Sequence, residues 1–89
     1  MKIHVFHILV KHDYEAQDLL RLLKAGKSFE ELARKYSTCP SASAGGDLGV
    51  QDLSRFEESF GEAALILKPG QISASVRTRF GYHLIQRIS

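Results

Sequence analysis

The segment Ile3-His4-Val5-Phe6-His7-Ile8-Leu9-Val10-Lys11 decides the fold of this chain. It is rich in β-branched and aromatic residues, which is typical of a β-strand. Side chains alternate between the two faces of a strand. Both faces are mostly apolar here, with Ile3, Val5, His7 and Leu9 on one and His4, Phe6, Ile8 and Val10 on the other. We therefore predict a central strand that is covered on both sides.

Two helices are predicted after this strand. Asp13 is a candidate N-cap, and Gly26 ends the helix that follows. Between them, apolar residues recur at helical spacing, namely Ala16, Leu19, Leu20 and Leu23. A capping box at Ser28-Phe29-Glu30-Glu31 predicts a second helix, which continues to Tyr36. The two segments together predict a helical hairpin.

The second half of the chain predicts shorter elements. In order, these are a loop with room for a one-turn helix at 37–46, a strand at 47–53, a helix opened by the capping box Ser54-Arg55-Phe56-Glu57, and strands at 71–76 and 81–88. The order strand, helix, helix, strand, helix, strand, strand predicts a small α+β fold. We expect an antiparallel sheet with helices packed on it.

Length and composition limit the class of protein. The chain has 89 residues, of which 44% are hydrophobic and 25% charged. This is the size of one domain, so we expect a single domain over residues 1–89. The lone Cys39 excludes an internal disulfide framework and favours a reducing, cytoplasmic compartment. No apolar run approaches the ~20 residues that span a bilayer, so no membrane partner is expected.

The net charge of +2 is unevenly distributed. Residues 36–67 carry a balance of −4, and residues 68–89 carry +4. A basic end can meet nucleic acid or an acidic partner. However, these charges are scattered, and the chain has neither a Lys/Arg run nor interleaved aromatic residues. The pattern is more typical of a solvated surface, so nucleic acid is not an expected partner.

Histidine is the main reactive residue type. His4 and His7 resemble a zinc-ligand pair, but an offset of three places them on opposite faces of a strand. A metal site is therefore not expected. His7 and His83 each lie among apolar neighbours, where a buried imidazole needs hydrogen-bond partners. They are either two core histidines that satisfy each other across adjacent strands or a paired network beneath an active site, and the two interpretations are compatible.

Three further features of the sequence each permit a structural and a functional interpretation. Cys39 precedes a proline in a loop, and a cysteine together with histidines suggests a thiol protease. However, the chain is far shorter than a papain-type protease and lacks the local sequence around the catalytic cysteine of that class. The glycine-rich segment Gly45-Gly46-Asp47-Leu48-Gly49 lacks the phosphate-loop pattern. Phe56 and Phe60 share one helix face, and Phe80 begins the last strand. Spacing alone leaves open whether these aromatic residues belong to the core or wall a shallow apolar pocket.

Three stretches, taken together, carry a resemblance to a known family. They are His7-Ile8-Leu9-Val10, Gly45-Gly46-Asp47-Leu48-Gly49 and Phe80-Gly81-Tyr82-His83-Leu84-Ile85. In this order and spacing the chain resembles the parvulin-type peptidyl-prolyl cis–trans isomerases, above all the small stand-alone bacterial parvulins. The resemblance implies the parvulin-like, FKBP-like superfold, a four-stranded antiparallel sheet surrounded by helices.

The resemblance also implies roles for individual residues. His7 and His83 match the paired histidines beneath the family's site, and Thr78 matches the hydroxyl residue linked to them. Cys39 lies where one branch of the family carries Cys and others carry Asp. The walls of the proline pocket are matched by Leu48, by Phe56, which stands where Met is frequent, and by Phe60, and Phe80 is expected to close another side.

One departure from the family narrows the expected substrate. Parvulins that recognise phosphoserine or phosphothreonine carry a basic loop after the first strand. Here Lys11-His12-Asp13-Tyr14-Glu15 continues into the helix without an arginine cluster. We therefore expect phosphate-independent recognition, and the chain length leaves no residues for a WW module.

The resulting hypothesis is a monomeric, cofactor-free isomerase that accelerates rotation about Xaa-Pro bonds in unfolded or flexible polypeptides and so assists protein folding. His7, Cys39, Thr78 and His83 would form its catalytic set. The alternative is a non-catalytic peptide-binding or chaperone module with the same fold. A weaker idea is that Arg77 and Arg79, which flank Thr78, favour an acidic residue before proline.

Overall fold

The computed structural model describes all residues from Met1 to Ser89, and its centre is the first strand. Strand β1 spans Lys2–Val10 and lies between two antiparallel neighbours in a four-stranded sheet of order β2-β1-β4-β3. The other strands are β2 (Asp47–Asp52), β3 (Val76–Thr78) and β4 (Gly81–Arg87). All pairings are antiparallel. The predicted α+β class and four-stranded antiparallel sheet are confirmed.

Both faces of β1 are buried, as its sequence predicts. Ile8 and Val10 belong to one apolar cluster, which is completed by Ala16, Leu19, Phe29, Leu32, Ala33 and Leu84. Ile3 and Val5 belong to a second cluster with Phe60, Ala64 and Ile85. The sheet therefore separates two small cores, and β1 contributes apolar side chains to both.

The helical hairpin covers the first of these cores. Helix α1 spans Asp13–Lys24 and helix α2 spans Phe29–Tyr36. Ser28 caps α2 as predicted, since its side chain accepts a hydrogen bond from the Glu31 backbone N–H at 3.3 Å. The predicted N-cap Asp13 is wrong by one residue. His12 is the N-cap, and its backbone N–H donates to the Glu15 carboxylate at 3.1 Å.

The third helix, α3, begins later than its predicted capping box. It spans Glu58–Leu65, with Glu57 as its N-cap. Ser54 instead lies in a short 3-10 helix, Leu53–Arg55, where the Asp52 carboxylate accepts hydrogen bonds from the Ser54 backbone N–H and hydroxyl. The nearby Asp52 carboxylate thus takes the capping role that the sequence pattern assigned to Ser54. The loop at 37–46 does contain a short 3-10 helix, Pro40–Ala44.

The third strand is displaced from its predicted position at 71–76. Only an isolated bridge between Ile72 and Gln86 joins the first part of this segment to the sheet. The Ser73 hydroxyl accepts a hydrogen bond from the Ile85 backbone N–H at 3.0 Å and so takes the place of a regular strand pair. Regular pairing with β4 starts at Val76. No helix of the protein has the length and apolar character needed to cross a membrane.

Candidate active site

The sheet, α3 and the 37–46 loop surround one open cavity of about 370 Å³. All eight residues that the sequence nominated line it: His7, Cys39, Leu48, Phe56, Phe60, Thr78, Phe80 and His83. The structure therefore brings together residues from five separate parts of the chain. The remaining lining residues are Leu9, Thr38, Pro40, Arg55 and Glu57.

The register of β1 and β4 places the two buried histidines beside each other. Leu9 pairs with His83 and His7 pairs with Ile85, so His7 and His83 are diagonal neighbours on one face of the sheet. Their ring planes are nearly parallel, 20° apart, and the ring centroids are 5.3 Å apart. The two Nδ1 atoms are 3.2 Å apart, which is hydrogen-bond distance. The cross-strand pair that the sequence suggested is thus present.

A hydroxyl group completes the hydrogen bonding of each histidine. Nε2 of His83 lies 2.7 Å from Oγ1 of Thr78, which also accepts a hydrogen bond from the Phe80 backbone N–H at 3.1 Å. Nε2 of His7 lies 3.1 Å from Oγ of Ser41. A single proton serves the contact between the two Nδ1 atoms, so one neutral ring donates and the other accepts. Every hydrogen bond in the chain Thr78-His83-His7-Ser41 can then be made, whichever of the two rings is the donor. A second proton between the two Nδ1 atoms would place two N–H groups against each other.

Burial keeps both rings neutral. Desolvation, assisted by the neighbouring His83, lowers the pKa of His7 from 6.5 to about 4. Desolvation also lowers the pKa of His83, although the Glu57 carboxylate acts in the opposite direction. Near neutral pH the floor of the cavity is therefore an uncharged, hydrogen-bonded pair. A pair of this kind adds no charge to the site and holds the neighbouring side chains in place.

Aromatic rings form the wall above the histidines. Phe60 meets both rings edge-on, with centroids 5.6 Å from His7 and 5.2 Å from His83. Phe56 lies against Phe60 with centroids 5.0 Å apart. Phe60 is buried and belongs to the second core cluster, whereas Phe56 and Leu48 are half-buried and pack against that cluster. Phe60 therefore serves both the core and the cavity, which reconciles the two interpretations that spacing left open.

Phe80 and Cys39 lie at the more open part of the cavity. Phe80 is 60% exposed, and the Arg79 guanidinium lies 4.9 Å from the centre of its ring. Cys39 is half-buried and precedes the 3-10 helix that starts at Pro40. The hydrogen bonds of the histidine chain end at Ser41 and Thr78 and do not include the Cys39 sulfur. No hydrogen bond therefore links the histidines to Cys39, and its membership of the expected catalytic set stays a prediction.

The glycine-rich segment has a steric role at this site. The His7 backbone N–H donates to the Gly46 carbonyl at 2.9 Å. Gly46 has φ +89°, and a Cβ at this position would overlap the His7 carbonyl oxygen. The loop can therefore approach β1 closely only with glycine at this position. Next to it, Asp47 accepts hydrogen bonds from the Gly49 backbone N–H and from His4, which lower its pKa.

Sequence reasoning missed three residues of this region. Ser41 is one of several small polar residues in its loop, and only the fold shows that it reaches His7. Arg55 and Glu57 were assigned to the first turn of a helix, whereas they lie in the segment before α3 and line the cavity. Arg77 and Arg79 do not line it. The structure contains no group of three or more His, Cys, Asp or Glu residues that could hold a metal ion.

Comparison with known proteins identifies the family of this site. A family model described as "Rotamase: PPIC-type PPIASE domain" matches residues 7–89. The chain belongs to this PpiC-type peptidyl-prolyl isomerase family. The parvulin resemblance of the sequence is therefore confirmed, and the histidine pair and aromatic wall are the cavity of a PpiC-type domain.

Relatives of this PpiC-type domain include both long and short chains. The foldase protein PrsA of Bacillus subtilis is 45% identical over 87 residues, which cover 97% of this chain and 30% of PrsA. The crystal structure of that protein superposes with a TM-score of 0.96 at 44% identity, covering 99% of this chain and 35% of that one. A probable parvulin-type peptidyl-prolyl cis-trans isomerase of Bordetella bronchiseptica is 45% identical over 89 residues, or 97% of this chain and 34% of the relative.

A short structural neighbour matches over almost its whole length. NmPin, the parvuline of Nitrosopumilus maritimus, superposes with a TM-score of 0.89 at 36% identity, and the match covers 99% of this chain and 96% of NmPin. By contrast, the chain spans about a third of the length of the curated relatives it matches.

Proposed function

We propose that this PpiC-type domain catalyses cis–trans isomerisation of Xaa-Pro peptide bonds in flexible polypeptides. The observation that carries the proposal is an open, largely apolar cavity whose floor is an uncharged histidine pair. Such a site suits a reaction in which no covalent bond forms or breaks and no proton has to move. The family of the domain supports the same reaction.

The chemistry depends on the electronic structure of the amide. Resonance raises the barrier to rotation about the peptide bond to roughly 18–20 kcal/mol. In the planar amide, resonance places negative charge on oxygen and positive charge on nitrogen, and twisting reduces this separation. An apolar environment therefore destabilises the planar amide more than the twisted one, which reduces the difference in free energy between them. A site that binds the twisted form more tightly than the planar form lowers the barrier.

Phe60, Phe56 and Leu48 would grip the proline ring. They supply the apolar wall of the cavity, and Phe60 is fixed by its edge-on contacts with both histidines. Phe80 would cover the ring from the exposed side. Because the histidines are neutral and mutually bonded, their role is to position Phe60 and the 37–46 loop. They need not exchange protons with the substrate.

Cys39 would act on the substrate carbonyl by electrostatics. Its thiol lies in the cavity wall, at a position where the parvulin resemblance also places Asp. A carboxylate there could not replace a nucleophilic thiolate, so a covalent role is disfavoured. No cofactor is required for this mechanism.

Proline-containing unfolded or flexible chains are the proposed substrates. An open cavity admits an extended peptide, and the B. subtilis relative PrsA is named a foldase protein. A single arginine, Arg55, lines the cavity, so a phosphate-binding cluster of several arginines is not available there. Cytoplasmic location and a monomeric state remain predictions, and the latter is checked by light scattering on the purified chain.

One observation favours the alternative of a non-catalytic binding module. The histidine chain satisfies its own hydrogen bonds completely, as a purely structural core pair would. A protease-coupled assay on Xaa-Pro peptides separates the two functions. Faster cis-to-trans conversion, in proportion to protein concentration, supports the isomerase. Peptide-induced NMR shifts without any acceleration would support the binding module instead.

A further inference from the structure

Two side chains of opposite charge line the cavity. Arg55 and Glu57 flank Phe56 in the segment before α3, and both are exposed. Neither forms an ion pair within the protein. The Glu57 carboxylate opposes the lowering of the His83 pKa by desolvation.

Arg55 also differs from the other arginines of the chain. Arg21 and Arg34 pair with acidic residues on their own helices. The Arg77 and Arg79 guanidinium groups lie over the rings of Tyr82 and Phe80, and Arg87 donates to the Leu65 and Leu67 carbonyls. Arg55 alone makes no ion pair, hydrogen bond or aromatic contact. Its five N–H donors are free for a ligand.

The backbone holds Arg55 in a defined place beside the aromatic wall. Asp52 caps the 3-10 helix that contains Arg55 by accepting two hydrogen bonds from Ser54, at 3.1 and 2.9 Å. The Phe56 backbone N–H donates to the Leu53 carbonyl at 3.2 Å, and the Phe56 ring packs on Phe60. The Cα of Arg55 is therefore held in a fixed position next to Phe56, which lines the proposed proline pocket.

We propose that Arg55 gives the domain a preference for peptides with an acidic side chain next to the proline. This inference rests on the proposed function, because it assumes that the proline ring occupies the cavity. A carboxylate is the side chain whose geometry and charge match a guanidinium. The proposal assigns to Arg55 the selectivity that the sequence alone had suggested for Arg77 and Arg79.

The test compares peptides that carry Glu, Gln or Lys directly before or directly after one proline. We expect wild-type kcat/KM for Glu to exceed that for Lys by about 2- to 5-fold at one or both positions, the size of an exposed ion pair. Arg55→Gln should abolish the preference for Glu, and Arg55→Glu should invert it. Arg77→Gln is the matched control, because Arg77 is exposed but lies outside the cavity, and it should leave the ratio unchanged.

The dependence of the Glu-to-Lys ratio on ionic strength is a second measurement. This ratio would not change with salt if Arg55 only supported the fold. Raising ionic strength to about 0.5 M should reduce the wild-type ratio and leave the ratio of Arg55→Gln unaffected. Equal rates for the Glu and Lys peptides, or a preference that survives in Arg55→Gln, would overturn the proposal while the isomerase function stands. If no peptide is accelerated, the proposed function fails. In that case the dissociation constants of the Glu and Lys peptides are compared instead. Tighter binding of the Glu peptide that is lost in Arg55→Gln supports the role of Arg55, and equal binding contradicts it.

Discussion

At the scale of single residues, Phe56 is the part of the aromatic wall that can be tested without disturbing the core. Phe60 is 4% exposed and packs in the second core cluster, so its removal would also leave a cavity there. Phe56 is half-buried and faces the cavity. We expect Phe56→Ala to lower kcat/KM at least about tenfold, because it removes apolar surface from the proline pocket.

The matched control for Phe56→Ala is Tyr14→Ala, which truncates an aromatic side chain that is 65% exposed on α1. The measurement is the isomerisation rate, with circular dichroism to verify folding of both variants. Comparable activity of the two variants would show that Phe56 does not bind the proline.

Cys39 is the residue whose role separates electrostatic from covalent catalysis. We expect Cys39→Asp to retain more activity than Cys39→Ala, because a carboxylate can still act on the substrate carbonyl through its charge. Exchange NMR on one Ala-Pro peptide gives both rates under identical conditions. A Cys39→Asp protein no more active than Cys39→Ala would contradict the electrostatic role.

Ser41 marks the limit of sequence reasoning at this scale. His7 and His83 can be nominated from the residues themselves, because a histidine among apolar strand residues is distinctive, whereas Thr78 is nominated only by the parvulin resemblance. Ser41 lies among other small polar residues, and only the 3-10 helix at Pro40–Ala44 turns its hydroxyl toward His7. Its contact depends on the conformation of a loop, which has no periodic pattern in the sequence.

At the scale of elements, the 37–46 loop and β1 are joined at Gly46. A side chain there would overlap the His7 carbonyl, whereas Gly49, with φ +70°, has open space around its Cα. Both variants to alanine force a left-handed backbone on a residue with a Cβ, which costs roughly 1–2 kcal/mol. We expect Gly49→Ala to lower Tm by roughly 4–16 °C.

Gly46→Ala should lower Tm by at least about twice as much, because the steric clash with β1 adds to the backbone strain. Thermal unfolding followed by circular dichroism measures both variants. Equal losses for the two would mean that the close approach of the loop to β1 contributes nothing beyond its backbone conformation.

The element predictions succeeded where side-chain periodicity was long and failed where local hydrogen bonds decide. The nine residues of β1 and the helical hairpin follow directly from their apolar patterns. The start of α3 does not, because the Asp52 carboxylate competes for the Ser54 backbone N–H. Likewise, the Ser73 hydroxyl replaces a strand pair that alternation in 71–76 predicts. Side-chain to backbone bonds of this kind compete with regular structure and leave little trace in a sequence.

At the scale of the whole molecule, the buried histidine pair makes stability depend on pH. The pKa of His7 is about 4 in the folded protein and 6.5 for an ordinary histidine, so the unfolded chain takes up the proton first as the pH falls. The stability that the neutral, buried His7 contributes is complete above pH 6.5 and is lost progressively as the pH falls toward 4. It amounts to as much as about 3 kcal/mol, and His83 acts in the same direction.

Urea unfolding measured between pH 7 and 5.5 tests this prediction. The free energy of unfolding should fall across the range in wild type, and by less in His7→Gln. The control His12→Gln alters an exposed histidine and should keep the wild-type slope. A wild-type free energy that is constant over the range would contradict burial of a neutral pair.

The central claim, that the cavity lowers the barrier to rotation about Xaa-Pro bonds, is tested most directly by two-dimensional exchange NMR. Unassisted isomerisation takes tens to hundreds of seconds, so an Ala-Pro peptide alone gives no exchange peaks at sub-second mixing times. With catalytic amounts of the chain, we predict cis–trans exchange peaks whose intensity grows with protein concentration and falls in Phe56→Ala. Saturating peptide binding with no exchange peaks at any concentration would contradict the claim.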